Sequence, residues 1–260
     1  MLTYKINIQD IKNQIFIPKY YDPALRQELL SLKETHDLLV LGDLIDAGII
    51  GAQTGHEIGK MAYGTGSIPF VRTSDISNWE IKTIPKQGVS QEIYDFYAYK
   101  EDVQPGDILM VKDGTYLIGT NCIVTPLDIP MIYQSHILKF RVVSSELLDP
   151  LILFLALNCP LVQRQIRNMQ FTADIIDTLG SRYREIILPI PKDITFRKEL
   201  SEKMKQALDT RIRYKAAIKQ MPLLIESVLE SGTTQAFDTF FSKPIDEVLN
   251  ELVQDTTTLE

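Results

Sequence analysis

The stretch EIILPIPKDITFRKELSEKMKQALDTRIRYKAAIKQM, residues 185–221, holds the change of period on which the fold turns. Its first part belongs to a last strand, read over 182–190 and closed by LPIP at 188–191. After Asp193 the repeat lengthens. Leu200, Met204, Ala207, Arg211, Tyr214, Ile218, Met221, Ile225 and Val228 recur at alternating four- and three-residue steps, and all but Arg211 are apolar. That is the seam of a coiled coil. Pro222 disturbs its regularity and Gly232 is the expected stop. The seam spans about eight turns at ~3.6 residues per turn, longer than one small domain needs, so it is expected to meet a partner or a second copy.

Beyond the helix, SKPIDEVLNELVQ at 242–254 repeats the logic of a capped helix, with Ser242, Pro244, Asp246 and Glu247 at its start. Before it the pattern is that of strands and turns. Residues 18–40 read as helical, with Asp22 as N-cap and Pro23 in the first turn. Seven of the 13 glycines then fall between Gly42 and Gly66, which predicts loops and tight turns between short strands. Strands are read in IPFVRTSDISNWEIKTI (68–84), around a polar turn at Ser77-Asn78. Residues 92–99 fit either a short helix or a strand. Residues 107–111 and 116–124 read as a hairpin reversing at Asp113-Gly114, and 131–143 as a further strand. Helix follows over 147–170, with a break expected at Pro160. The fold class is therefore α+β, a small mixed, barrel-like sheet domain with flanking helices followed by a long coiled-coil helix. Its divisions are 1–195, 196–231, and an acidic tail over 232–260.

The chain of 260 residues carries a net charge of −7, which argues against coating nucleic acid or an anionic membrane by bulk charge alone. The charge is unevenly placed. Residues 160–220 hold 13 basic against seven acidic side chains, whereas 222–260 hold one against eight. Cys122 and Cys159 are too few for a disulfide framework, the N-terminus lacks the regions of a signal peptide, and the apolar run LILFLAL (151–157) is too short to cross a bilayer. A reduced, cytoplasmic protein with no membrane partner is expected.

Catalytic and cofactor motifs are missing. No GxGxxG, P-loop, HExxH, CxxC pair or GxSxG occurs, so no cofactor and no metal are implied. Ser135 and His136 are adjacent, and neighbours on a strand point to opposite faces. Glu80-Ile81-Lys82 with Asp75 imitates part of a metal-dependent nuclease site, but all three lie within what reads as one hairpin.

Four blocks, SIPFVRTSDISNWEI (67–81), VQPGDILMVKDGTYLIGTNCIV (103–124), SHILKFRV (135–142) and DTLGSRYREIILPIP (177–191), followed by the long helix, resemble target recognition domains. These are the DNA-reading units of type I restriction–modification specificity (S) subunits. The resemblance runs from about residue 39 to 229. It implies a non-catalytic subunit that recognises double-stranded DNA beside an adenine methyltransferase subunit, with a restriction subunit as a further partner. The family's usual S subunit has two recognition domains and two antiparallel helices. This chain has one of each and resembles a half-subunit, which would restore the arrangement as a homodimer through its helix and read a near-palindromic target.

Under that reading the candidate DNA contacts are Gln53, Thr54, His56 and Lys60, then Arg72, Thr73, Ser74, Asn78 and Trp79. Lys112, Thr115 and Tyr116 sit in the hairpin loop, and Arg164, Arg167, Asn168 and Gln170 suit phosphates. Simpler roles stand beside these: Arg72 in an ion pair with Asp75, and Trp79 in the core. Two other functions compete, a protein-interaction or decoy module of the same fold and a small metal-dependent nuclease.

Overall fold

Asp193 accepts hydrogen bonds from the backbone N–H groups of Thr195 and Phe196, at 2.8 and 3.2 Å, and so starts the helix that the seam predicts. The computed structural model describes residues 5–12, 14–77, 79–114, 116–171 and 177–250. Its first half comprises α1 (Pro23–Ser31), β1 (His36–Val40), α2 (Leu41–Asp46), β2 (Ile50–Thr54), β3 (Ile68–Val71), β4 (Ile76–Ser77), β5 (Glu80–Ile81), β6 (Gly88–Val89) and α3 (Gln91–Glu101). Then come β7 (Ile108–Val111), β8 (Asp113–Gly114), β9 (Asn121–Ile123), β10 (Ile132–Tyr133), β11 (Ile137–Val142), α4 (Pro150–Asn158) and α5 (Pro160–Met169). The last elements are β12 (Asp177–Thr178), β13 (Ile187–Pro191), α6 (Ile194–Ser231) and α7 (Gln235–Ser242), with residues 245–250 also helical.

The central sheet has the antiparallel order β2-β11-β7-β9. All four residues of β7 are buried because both faces of this sheet are covered. Ile108 and Met110 join a core formed with α2, α4, α5 and β13. Leu109 and Val111 point the other way, into a second cluster with Val71, Ile76, Tyr133 and Ile137. Alternate residues of a strand serve opposite faces, so a continuous apolar run here marks a doubly covered strand. The remaining sheets, β10-β3-β6 and the pairs β1–β13, β12–β8 and β4–β5, are small and open. The architecture is α+β, and no closed barrel forms among the described residues.

Several local expectations change. Helix α1 covers only part of 18–40, because the chain turns at 32–35 and His36 begins a strand paired with Pro191. Leu41–Asp46 is helical although it opens the glycine-dense section. Gly42 serves close packing there, since a Cβ would stand 2.8 Å from the Arg184 carbonyl oxygen. Residues 91–101 are a helix, N-capped by Ser90, which accepts from Ile93. The break at Pro160 separates α4 from α5, and residues 182–185 form a 3-10 turn before β13. Asp113-Gly114 is not the hairpin turn. It pairs with Asp177-Thr178, and the chain reverses farther on, where the Gly119 N–H bonds the Val111 carbonyl. The polar turn at Ser77-Asn78 includes a position outside the described residues, but β4 and β5 do pair as a hairpin.

Helix α6 runs without interruption through Pro222 to a left-handed Gly232 (φ 65°). Leu200 and Met204 of its seam join the chain's own core, together with Leu208. Farther along, Lys215 is buried and donates to Asp128 Oδ1 at 2.9 Å and to the Ile81 carbonyl. Lys219 reaches the Leu127 carbonyl at 3.1 Å, and Arg211 lies 3.8 Å from Glu80. Asp128 also accepts from the Thr125 N–H (2.8 Å) and hydroxyl (2.6 Å), so the helix is bolted to the sheet domain by a hydrogen-bonded buried pair. Such a pair resists loss of one member because the other remains as an uncompensated buried charge. Lys215→Met is expected to cost about 3–5 kcal/mol of unfolding free energy, read from the urea midpoint, with Lys215→Met/Asp128→Asn recovering part of it.

Candidate nucleic-acid interface

Segments far apart in sequence converge at one end of the central sheet, around His136. The turn before β11 is closed by the Ile137 N–H on the Gln134 carbonyl at 3.0 Å. The Lys112 N–H donates to the His136 carbonyl at 2.9 Å, which brings the end of β7 alongside. His136 Nδ1 lies 2.9 Å from Asp113 Oδ2, and its Nε2 is 3.6 Å from Glu57 Oε1. Asp113 also takes the Thr178 hydroxyl and has the Lys112 ammonium at 3.4 Å, while the Ser135 hydroxyl donates to Glu57. Loops after β2, after β7, before β11 and at β12 are thus held in one cluster.

Two more elements join it. β10 runs parallel to β3, pairing Tyr133 with Val71, and the Gln134 N–H donates to the Val71 carbonyl at 2.9 Å. This register brings the chain at Arg72 beside Gln134, and Thr73 and Ser74 follow in the turn toward β4. Gln163 of α5 donates to the Gly119 carbonyl at 3.1 Å, and Gly119 (φ 88°) lies so near Ile166 that a Cβ would stand 2.8 Å from its Cγ2. Arg167, one helical turn beyond Gln163, is exposed and has no side-chain partner among the described residues.

The candidate residues separate accordingly. Thr54, Lys60, Ser74 and Tyr116 are exposed, and Thr73 is half-buried. Arg72 makes no ion pair with Asp75. Its guanidinium lies over the Tyr63 ring at 5.6 Å, and Asp75 accepts instead from the backbone N–H groups of Arg72 (3.0 Å) and Lys86 (3.2 Å). Fully buried and engaged in this way, Asp75 is a turn cap and is poorly placed as a nuclease ligand. Among the described residues no group of three His, Cys, Asp or Glu side chains is arranged to hold a metal ion.

Gln53 donates to the Lys100 carbonyl at the end of α3, and His56 Nδ1 lies 2.9 Å from Glu101, so both serve the joint between β2 and α3. Trp79 (φ 69°) bridges Cys122 in β9 and meets Phe154 of α4 edge-on at 5.8 Å. Its ring touches the body of the domain at one edge and is otherwise exposed (42%), so it is not a core residue. Arg164 pairs with Glu28 at 2.6 Å, Asn168 bonds Asp22 at 3.4 Å and the Gln170 N–H bonds the Arg167 carbonyl at 3.3 Å, so these three belong to the α1–α5 contact and its end. Asn78 and Thr115 lie outside the described residues. Glu57, Asp113, Ser135, His136 and Thr178 were not among the candidate DNA contacts. Ser135 and His136, expected as strand neighbours on opposite faces, instead occupy the turn between β10 and β11, where both reach Glu57. Their grouping depends on strand register, for which no local motif exists.

Beneath the cluster the joint is ionic. Lys139 is buried and donates to the Glu101 and Asp102 carbonyls, and burial holds its ammonium below the ordinary lysine value. Arg141 bonds Asp107 at 2.6 and 2.7 Å and Asp102 at 2.5 Å, which lowers the Asp102 carboxyl. Burial raises the Glu101 carboxyl above its ordinary value, although His56 and the Tyr133 N–H oppose the shift. A carboxyl raised in the folded state favours folding below its unfolded value, near 4.5, and that contribution is lost as pH rises through the folded value. Glu101→Gln is expected to flatten the thermal-melt profile in the window just above pH 4.5 and leave it unchanged at lower pH.

Comparison with known proteins yields no matching family model and no matching curated protein. Solved structures similar to this chain include the type I restriction–modification S subunit from M. genitalium, at 15% identity and TM-score 0.47, covering 80% of this chain and 49% of that one. The HsdS subunit from Thermoanaerobacter tengcongensis is similar at 14% identity and TM-score 0.43, covering 84% of this chain and 51% of the other. A chain from a study of assembly and conformational transition in the type I system is similar at 14% identity and TM-score 0.44, over 84% and 53% respectively. The chain spans about half the length of each of these structures.

Proposed function

We propose that this protein is a non-catalytic, sequence-specific DNA-recognition subunit of a restriction–modification system, acting beside an adenine methyltransferase subunit. The observation that carries the reading is the convergence around His136. A rigid sheet, buried on both faces, presents polar loops from separate segments at one end, as a reader of base edges requires. Lys112 ends β7 beside Asp113, Arg72 follows β3 next to Gln134, and Arg167 lies one turn beyond the Gln163 that holds Gly119. All three suit phosphate or guanine contacts. The negative total charge fits a subunit whose grip on DNA is completed by its partner. Weak binding by the isolated chain and sequence-specific binding in the complex are expected from fluorescence titration with and without the methyltransferase subunit. The Arg72→Ala/Lys112→Ala/Arg167→Ala variant is expected to bind more weakly, with a shallower salt dependence by about one unit per phosphate contact removed. Unchanged affinity would favour the protein-interaction reading, and cleavage by the pure chain with Mg²⁺ or Mn²⁺ the nuclease reading.

The second half of α6 supports a homodimer or docking on the methyltransferase subunit. Tyr214 (65% exposed), Ile218 (40%), Ile225 (46%) and Leu229 (80%) lie at helical spacing and are left open, with Ala207 also exposed and Met221 and Val228 half-buried beside them. A seam of this kind buries its apolar stripe when two helices pack, and a two-fold pair would suit a near-palindromic target. A solution mass of about twice 29.6 kDa is expected from light scattering. Tyr214→Glu/Ile218→Glu/Ile225→Glu is expected to halve that mass while leaving the melting of the sheet domain nearly unchanged.

A further inference from the structure

Glu57 is the feature of the loop cluster that a general affinity for DNA does not explain. A carboxylate among groups that approach phosphates is repelled by them, so a freely moving one would weaken binding. This one is held. Its neighbours pin the backbone on both sides: the His56 N–H donates to the Tyr133 carbonyl at 3.1 Å, and Ile58 is buried. Gly55 lies so close to Tyr133 that a Cβ would stand 2.1 Å from its carbonyl oxygen, which fixes the path of the chain into the loop. Glu57 Oε1 takes the Ser135 hydroxyl and faces His136 Nε2 at 3.6 Å. Oε2 has no partner among the described residues, and the side chain is 57% exposed. The result is an acceptor tethered through Oε1 and open to solvent over more than half of its side chain.

In the major groove guanine offers two acceptors, thymine an acceptor and a methyl group, and adenine an amino group beside the N7 acceptor. Cytosine alone offers its amino group without a neighbouring acceptor on the same base. A carboxylate can only accept, so it is matched by cytosine and repelled by the other edges. Resting on the DNA-recognition reading, we propose that Glu57 is a base-reading residue that selects cytosine at one position of the target.

The test is selection from random-core duplexes by the full chain in complex with its methyltransferase subunit, comparing the native protein with Glu57→Gln and Glu57→Ala. The native complex is expected to select a motif with an invariant cytosine. Glu57→Ala is expected to relax that column by about ten-fold or more with the others intact. Glu57→Gln is expected to shift it toward adenine, whose amino group and N7 an amide pairs together. Thermal melts confirm that each variant is folded, and the near-isosteric glutamine variant suffices if the alanine variant is not. A native motif that both variants leave unchanged overturns the role of Glu57 while the recognition reading stands. Failure of the native complex to select any motif overturns both.

Discussion

Strand β11 is the constraint on which the rest depends. It is hydrogen-bonded along both edges, to β2 and to β7, and its residues serve both faces of the sheet. A strand held in this way has one register, because a slip of one residue would exchange Leu138 and Phe140 for Lys139 and Arg141 in the main core. From that register two consequences follow. At its start, His136 is set between Asp113 and Glu57 and organises the loops. Along its length, Lys139 and Arg141 reach the end of α3 and Asp107, so the aromatic helix is anchored by charge as well as by packing.

The long helix is attached by different physics. Its first turns bury Met204 in the main core, whereas its middle is tied by Lys215 and Lys219 to the loop at 127–128 and to the Ile81 carbonyl. Apolar packing tolerates sliding, but a buried ammonium that must find a carboxylate and a carbonyl does not. The angle between helix and loop cluster is therefore specified by polar contacts. The face of the helix that remains exposed is the one that carries Tyr214, Ile218 and Ile225.

Much of the fold was legible in particular residues. Asp193, Gly232 and the Asp149-Pro150 pair mark helix ends because capping is a contact over two to four residues, whereas 92–99 stayed open between helix and strand until Ser90 was seen to cap α3. The site was less legible. Arg72, Thr73, Ser74 and Lys112 became candidates through the resemblance; Lys112 stands 3.4 Å from Asp113, and the Arg72 guanidinium lies over Tyr63. Gln53, His56 and Arg164 drew the same reading, and their side chains contact Lys100, Glu101 and Glu28 within the chain. A polar side chain in a loop looks the same in sequence whether it faces solvent or a neighbouring element.

What the sequence determined by itself was whatever depends on near neighbours: the α+β class, the long helix after Asp193, the break at Pro160 and the strand at 107–111. The tertiary structure alone decided that Glu57 meets Ser135 across 78 positions, that Asp113 faces His136 instead of forming the turn, and that Lys215 seeks Asp128 across 87. The physical reason is that periodicity and capping act within a turn or two of chain. Strand register and buried charge pairing act between segments whose meeting is chosen by the packing of the whole core.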